Sequence, residues 1–146
     1  MNAPAELPAS AGEHALLSAS GAYRWIACPP SARLEATLPE TTSPYAEEGT
    51  LAHEVAKMEL LRYLHRIPAI QYTDAWTAFR QDKRVTEDFK AAVLRYVQFA
   101  ISRIEYARSV NRDAVILVEE KVDYSAFVEG GFGTVDLLLL YDGVLE

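Results

Sequence analysis

Residues 114–125, AVILVEEKVDYS, and residues 133–143, GTVDLLLLYDG, decide the fold class. After Asn111 the apolar spacing shortens from a helical period to one that fits extended backbone, and both segments are rich in branched side chains. Gly130, Gly131 and Gly133 loosen the approach to the second segment, and Asp142-Gly143 reads as a turn after it. Two strands therefore follow a helical amino-terminal region, which predicts an α/β or α+β domain. The run Leu137 to Leu140 suits a strand covered on both faces.

Working back from the strands, Thr86 is placed to cap a helix on which Phe89, Val93, Tyr96, Val97, Ala100, Ile101 and Ile104 recur as one buried face. Ahead of it, IPAIQYTDAWTAFRQDKR reads as a connector around Pro68 and then a short helix. Glu48 to His65 forms another helix with two apolar faces. One carries Leu51, Val55 and Met58, the other His53, Ala56, Leu60 and Leu64. Such a helix belongs between other elements, which sets His53 in or beside packing. TTSPYAEEG, residues 41–49, reads as a loop. Ser18 and Ser20 offer starts for a short helix that breaks at Cys28-Pro29-Pro30, and a further turn from Ser31 uses Leu34 and Leu38 before Pro39. Residues 1–15 read as a flexible arm.

The 146 residues, half of them hydrophobic and about a quarter charged, suit a single domain and exclude a disordered chain. The net charge of −7 gives no general attraction for nucleic acid, although ten Lys and Arg residues from Arg62 to Arg112 leave room for a local basic path. Arg24 and Trp25 suit phosphate contact and stacking, or simply local packing and capping. A lone cysteine, Cys28, excludes an intrachain disulfide and fits a cytoplasmic, reducing setting. Its expected place is in structural burial. No apolar run approaches a membrane span, and the first residues lack a secretory signal pattern.

Asp136 is the sharpest isolated candidate, a carboxylate between Val135 and Leu137 in an apolar strand. A buried unpaired charge is expensive, so either a metal ion or a structural hydrogen bond must account for it. His53 is more often a packed, hydrogen-bonded residue at such a position; as a metal ligand it needs oxygen ligands from elsewhere, for which Asp136 is the one convincing distant partner and Glu119 or Glu120 on the preceding strand could also approach. Glu119 and Lys121, one residue apart on a strand, fall on one face by alternation, either as a carboxylate with a charge stabiliser or as a salt-bridged strand end.

Four segments in order, SASGAYRWIACPPS, EEGTLAHEVA, VEEKVDYS and GFGTVDLLLLYDG, resemble the RecB-like branch of the PD-(D/E)XK nuclease superfamily, most closely a phage-associated family within it. The resemblance implies the first strands of a restriction-endonuclease-like core. It implies that His53 and Asp136 hold Mg2+ or Mn2+, that Asp136 and His53 are catalytic, and that Glu119 is a supporting acid. DNA is the implied substrate. Cys28 matches the first cysteine of relatives that carry an iron-sulfur cluster, but one cysteine cannot build one, so no cluster is expected in a single chain.

A second acid and a lysine, one residue apart, follow the aspartate in that superfamily, and residues 137–146 contain no such pair. The chain is therefore expected to be the amino-terminal part of a nuclease domain, inactive or nearly so alone, with another chain or a continuation completing the sheet or site. The competing expectation is a non-catalytic phage-associated module that binds nucleic acid or protein.

Overall fold

A capped amphipathic helix followed by strands must bury its apolar stripe. In the computed structural model that stripe lies against a second long helix and the sheet. The structure describes residues 15–39 and 43–146. Among them run α1 (Ala22–Ala27), α2 (Pro30–Glu35), α3 (Pro44–Tyr63), α4 (Ala69–Phe79) and α5 (Glu87–Val110). β1 (Val115–Asp123), β2 (Phe132–Tyr141) and β3 (Val144–Leu145) follow. The strands form one sheet in the order β1-β2-β3, with β2 and β3 antiparallel and Tyr141 opposite Val144. Helices first and antiparallel strands after make the fold α+β. No described helix is long and apolar enough to cross a membrane.

The described residues fall into two compact regions, 15–39 with 121–134 and 43–120 with 135–146. In the larger region the Thr86 hydroxyl accepts the Phe89 N–H and starts α5 as expected. Phe89, Val93, Val97, Ala100, Ile104 and Ala107 form its buried stripe, while Tyr96 and Ile101 sit at the stripe's edges, only partly covered. α3 presents Leu51, Val55, Ala56 and Leu60 to the same core, and Ile116, Val118, Leu139 and Tyr141 close it from the sheet. α4 carries Tyr72 and Trp76, one turn apart, and both donate to the Glu59 carboxylate of α3 at 2.8 and 2.6 Å.

Several expectations need correction. Residues 44–49 are helix and not loop: Ser43 accepts the Ala46 N–H as a cap, and Pro44 occupies the first turn, where its missing N–H costs nothing. The other end of α3 comes earlier than His65. That residue adopts φ +56°, and the N–H groups of His65 and Arg66 close back onto the carbonyls of Arg62 and Leu61. The run Leu137 to Leu140 is not covered on both faces. Leu139 is buried, but Leu140 is 44% exposed, because successive side chains alternate. The Asp142-Gly143 turn holds, with both residues at positive φ as a two-residue hairpin requires.

In the smaller region α1 starts at Gly21 without a side-chain cap, although the Ser18 hydroxyl accepts the Gly21 N–H. Trp25 donates its indole N–H to the Ser18 carbonyl at 2.8 Å, and Arg24 pairs with Glu35 at 2.9 Å, so both are engaged in local packing. The Tyr124 hydroxyl reaches the Leu17 and Phe132 carbonyls. A Cβ on Gly131 would lie 2.5 Å from the Tyr124 ring, which is why glycine stands there. Cys28, Leu34 and Leu38 are exposed, against expectation, since helices of six residues are too short to press a continuous stripe onto a core. The arm proposed for residues 1–15 lies outside the described residues except for Ala15, which is buried.

Candidate metal centre

Three elements of the larger region each deliver one side chain to a common point. His53 rides on α3, one turn before Ala56 and two before Leu60, whose burial fixes that side of the helix. Asp136 alternates along β2 with Leu137 and Leu139, which pack into the core. Its carboxylate therefore leaves the core, and the side chain is 55% exposed. The expected buried charge is thus absent, and the aspartate needs no compensation for burial. Glu119 lies on β1 just after buried Val118 and is the most enclosed of the three, with a side chain 18% exposed.

Glu119 also has φ +50°. For a non-glycine residue within a strand this backbone is disfavoured, typically by about 1–2 kcal/mol, and it persists only where the surroundings hold it. Simple alternation from Glu119 to Lys121 therefore does not apply. Lys121 has its own partner, its ammonium lying 3.7 Å from the centre of the Phe132 ring in a cation–π contact.

His53 Nδ1 lies 3.2 Å from Asp136 Oδ1 and 3.5 Å from Glu119 Oε1. One ligand atom from each of the three residues lies within 4.8 Å of the others. Two carboxylates aimed at one imidazole concentrate negative charge at a half-open site, and that charge reaches the next helix. Burial, then the Asp136 and Glu119 carboxylates, push the Tyr96 phenol up, so it stays protonated at neutral pH. Two oxygen donors and one imidazole nitrogen suit a divalent ion such as Mn2+ or Mg2+, and the exposure of His53 and Asp136 leaves coordination positions for water. The residues fit such an ion.

A family model described as "Protein of unknown function (DUF2800)" matches residues 14–146. The chain belongs to the DUF2800 family. No solved structure matches it. In this DUF2800 chain the three residues that the sequence singled out, His53, Glu119 and Asp136, come together, while Glu120 is exposed and outside the cluster.

Most of the supposed basic path is already engaged. Arg84, Lys90, Arg103 and Arg108 pair with acids, Arg66 donates to the Ile116 carbonyl, and Arg62 and Arg80 stack on Tyr72 and Trp76. Tyr96 is the member of the DUF2800 site's surroundings that sequence reasoning did not single out. Its apolar spacing on α5 marked it for the core, and the periodicity carries no sign that its phenol feels two carboxylates distant in sequence.

Proposed function

We propose that this chain supplies the metal-holding part of a divalent-metal-dependent DNA nuclease related to the RecB-like branch of the PD-(D/E)XK superfamily. One observation carries the reading: His53, Glu119 and Asp136, from three separate elements, converge within 4.8 Å. His53 and Asp136 would hold the ion, and Glu119, the most enclosed, would act as the supporting acid that supplies a third donor. A bound divalent ion supplies activation of water and stabilisation of charge on phosphate oxygens during phosphodiester hydrolysis. No residue pair of the (D/E)xK type follows Asp136 within residues 137–146, so these residues alone are expected to bind the ion weakly and to cleave DNA little or not at all. The single cysteine fits a cytoplasmic setting for such an activity.

The test is Mn2+ binding followed by calorimetry or electron paramagnetic resonance, run beside cleavage assays on single- and double-stranded DNA. The unaltered chain should bind Mn2+, and His53→Ala and Asp136→Ala should each weaken binding by about tenfold or more, some 1.4 kcal/mol. Mn2+ binding unchanged by both substitutions would overturn the metal assignment. Robust cleavage lost in both variants would instead show that the 146 residues contain a whole active site. Tight DNA binding indifferent to metal and to Asp136→Ala would favour a non-catalytic binding module.

A further inference from the structure

α3 and α5 run side by side in the same direction, since Glu47 meets Arg84 just ahead of α5 and Tyr63 donates to Glu105 near the far end. Between their amino-terminal halves lies a groove of about 470 Å³. That volume falls within the roughly 300–1,000 Å³ typical of small-ligand sites. Gly49, Ala52 and Ala56 on one helix and Ala92 on the other keep its walls low, and Phe89 and Tyr96 supply aromatic surface. His53 also lines the groove, so the groove shares a residue with the candidate metal centre. Glu48 and Asp88, close to the starts of the two helices, line it as well.

Gly49 is informative. Glycine weakens a helix interior relative to alanine, so a packing reason is normally sought for it. Here a Cβ at position 49 would meet nothing within 4 Å. No neighbour requires the glycine, and what the missing side chain leaves is space in the groove.

We propose that this groove receives the base of an unpaired nucleotide, guanine in preference to the other three, with the nucleotide's phosphate directed to the divalent ion that His53, Glu119 and Asp136 would hold. The proposal rests on the nuclease reading and names a feature of its substrate. A flat ring suits a slot walled by glycine and alanine, and the Tyr96 ring, 38% exposed, offers a face for stacking. The carboxylates of Glu48 and Asp88 accept hydrogen bonds and repel phosphate, so of the parts of a nucleotide it is a donor-rich base edge that suits this end of the groove. Guanine alone sets a ring N–H and an exocyclic amine side by side, matching the two oxygens of one carboxylate. Adenine and cytosine place a ring acceptor next to the amine, and thymine flanks its single N–H with carbonyls. His53 stands five positions after Glu48 on α3, roughly 7–8 Å farther along the helix axis, so the acidic end of the groove and its metal-centre end are distinct.

The four 2′-deoxynucleosides, titrated onto the full chain in EDTA and followed by alanine-methyl NMR, test the groove without phosphate or metal. Deoxyguanosine should shift the Ala52, Ala56 and Ala92 methyls and bind more tightly than the others by roughly fivefold or more, the low end for a bidentate contact. Ala92→Phe, at an exposed position, should abolish the effect, as should Gly49→Leu should the first variant fold poorly. A Glu48→Gln, Asp88→Asn double variant should erase the preference for guanine. Absence of methyl shifts, equal shifts for all four nucleosides, persistence in both filled-groove variants, or response only to a basic peptide would each overturn the proposal. Mn2+ binding on the same samples reads the other claim separately. Nucleoside failure with Mn2+ binding intact and Asp136-dependent defeats the base site alone, whereas Mn2+ failure defeats the metal centre.

Discussion

The two compact regions differ in what they make of their apolar side chains. Residues 43–120 with 135–146 bury Leu51, Val55, Leu60, Val97, Ile104 and Leu139, among others, in one contiguous core. Residues 15–39 with 121–134 bury Ala15 and Ala32 among their hydrophobic residues, while Tyr23, Ile26, Leu34, Leu38 and Phe127 remain exposed. Hydrophobic content therefore does not predict burial here; element length does. α3 and α5, with 20 and 24 residues, repeat a stripe over several turns, whereas α1 and α2, with 6 each, cannot. The candidate metal centre lies in the region with the core, where rigid elements fix its three side chains.

The contrast is broken most directly by paired truncations. Ile104→Ala should destabilise the protein by about 2–5 kcal/mol in urea unfolding, because a fully buried side chain leaves a cavity. Ile26→Ala, at an exposed site, should change stability by no more than about 0.5 kcal/mol. Comparable losses at the two positions would show that α1 has a buried role in solution.

A smaller effect sharpens the comparison within the cored region, which also contains the strained residue of the site. Glu119→Gly should be more stable than Glu119→Ala by about 1 kcal/mol, since glycine accepts positive φ without penalty. Both variants should lose Mn2+ affinity. Equal stabilities measured by thermal unfolding would mean that the backbone at Glu119 relaxes when its carboxylate is removed.

The smallest effects belong to surface pairs, present in both regions as Arg24 with Glu35 and Arg84 with Asp82. Arg84 donates side-chain and backbone hydrogen bonds to Asp82 and holds its carboxyl down at about 2. A folded value depressed below the roughly 3.9 of a free aspartate means the pair's contribution is present above that value and fades as pH falls through about 2. Carboxyl NMR titration should place Asp82 there and move it back toward the ordinary range in Arg84→Ala. Solvent screening of this surface pair should keep the accompanying change in stability slight.

Much of the scaffold was legible in the sequence because local chemistry decides it. Thr86 caps α5 through its own hydroxyl, the α5 stripe follows helical period, and Asp142-Gly143 accepts the positive φ of a hairpin turn. The start of α3 was also written locally, in Ser43 and Pro44, but the acidic and glycine residues that follow disguised it. His53 and Asp136 stood out as individual residues, since a carboxylate in an apolar strand and a histidine on a packed helix each invite a partner.

Their meeting was a different matter. His53 and Asp136 are 83 positions apart in the chain, and only the packing of α3 with α5 and the sheet sets their atoms 3.2 Å apart. The same packing holds Glu119 in its left-handed backbone and opens a groove beside Gly49. The sequence by itself determined most of the helix and strand segments and which residues stand out as site candidates, because those follow from period, caps and side-chain type. The tertiary structure alone decided which of them share a site and which stay in solvent, because exposure and distance depend on what the rest of the chain places alongside.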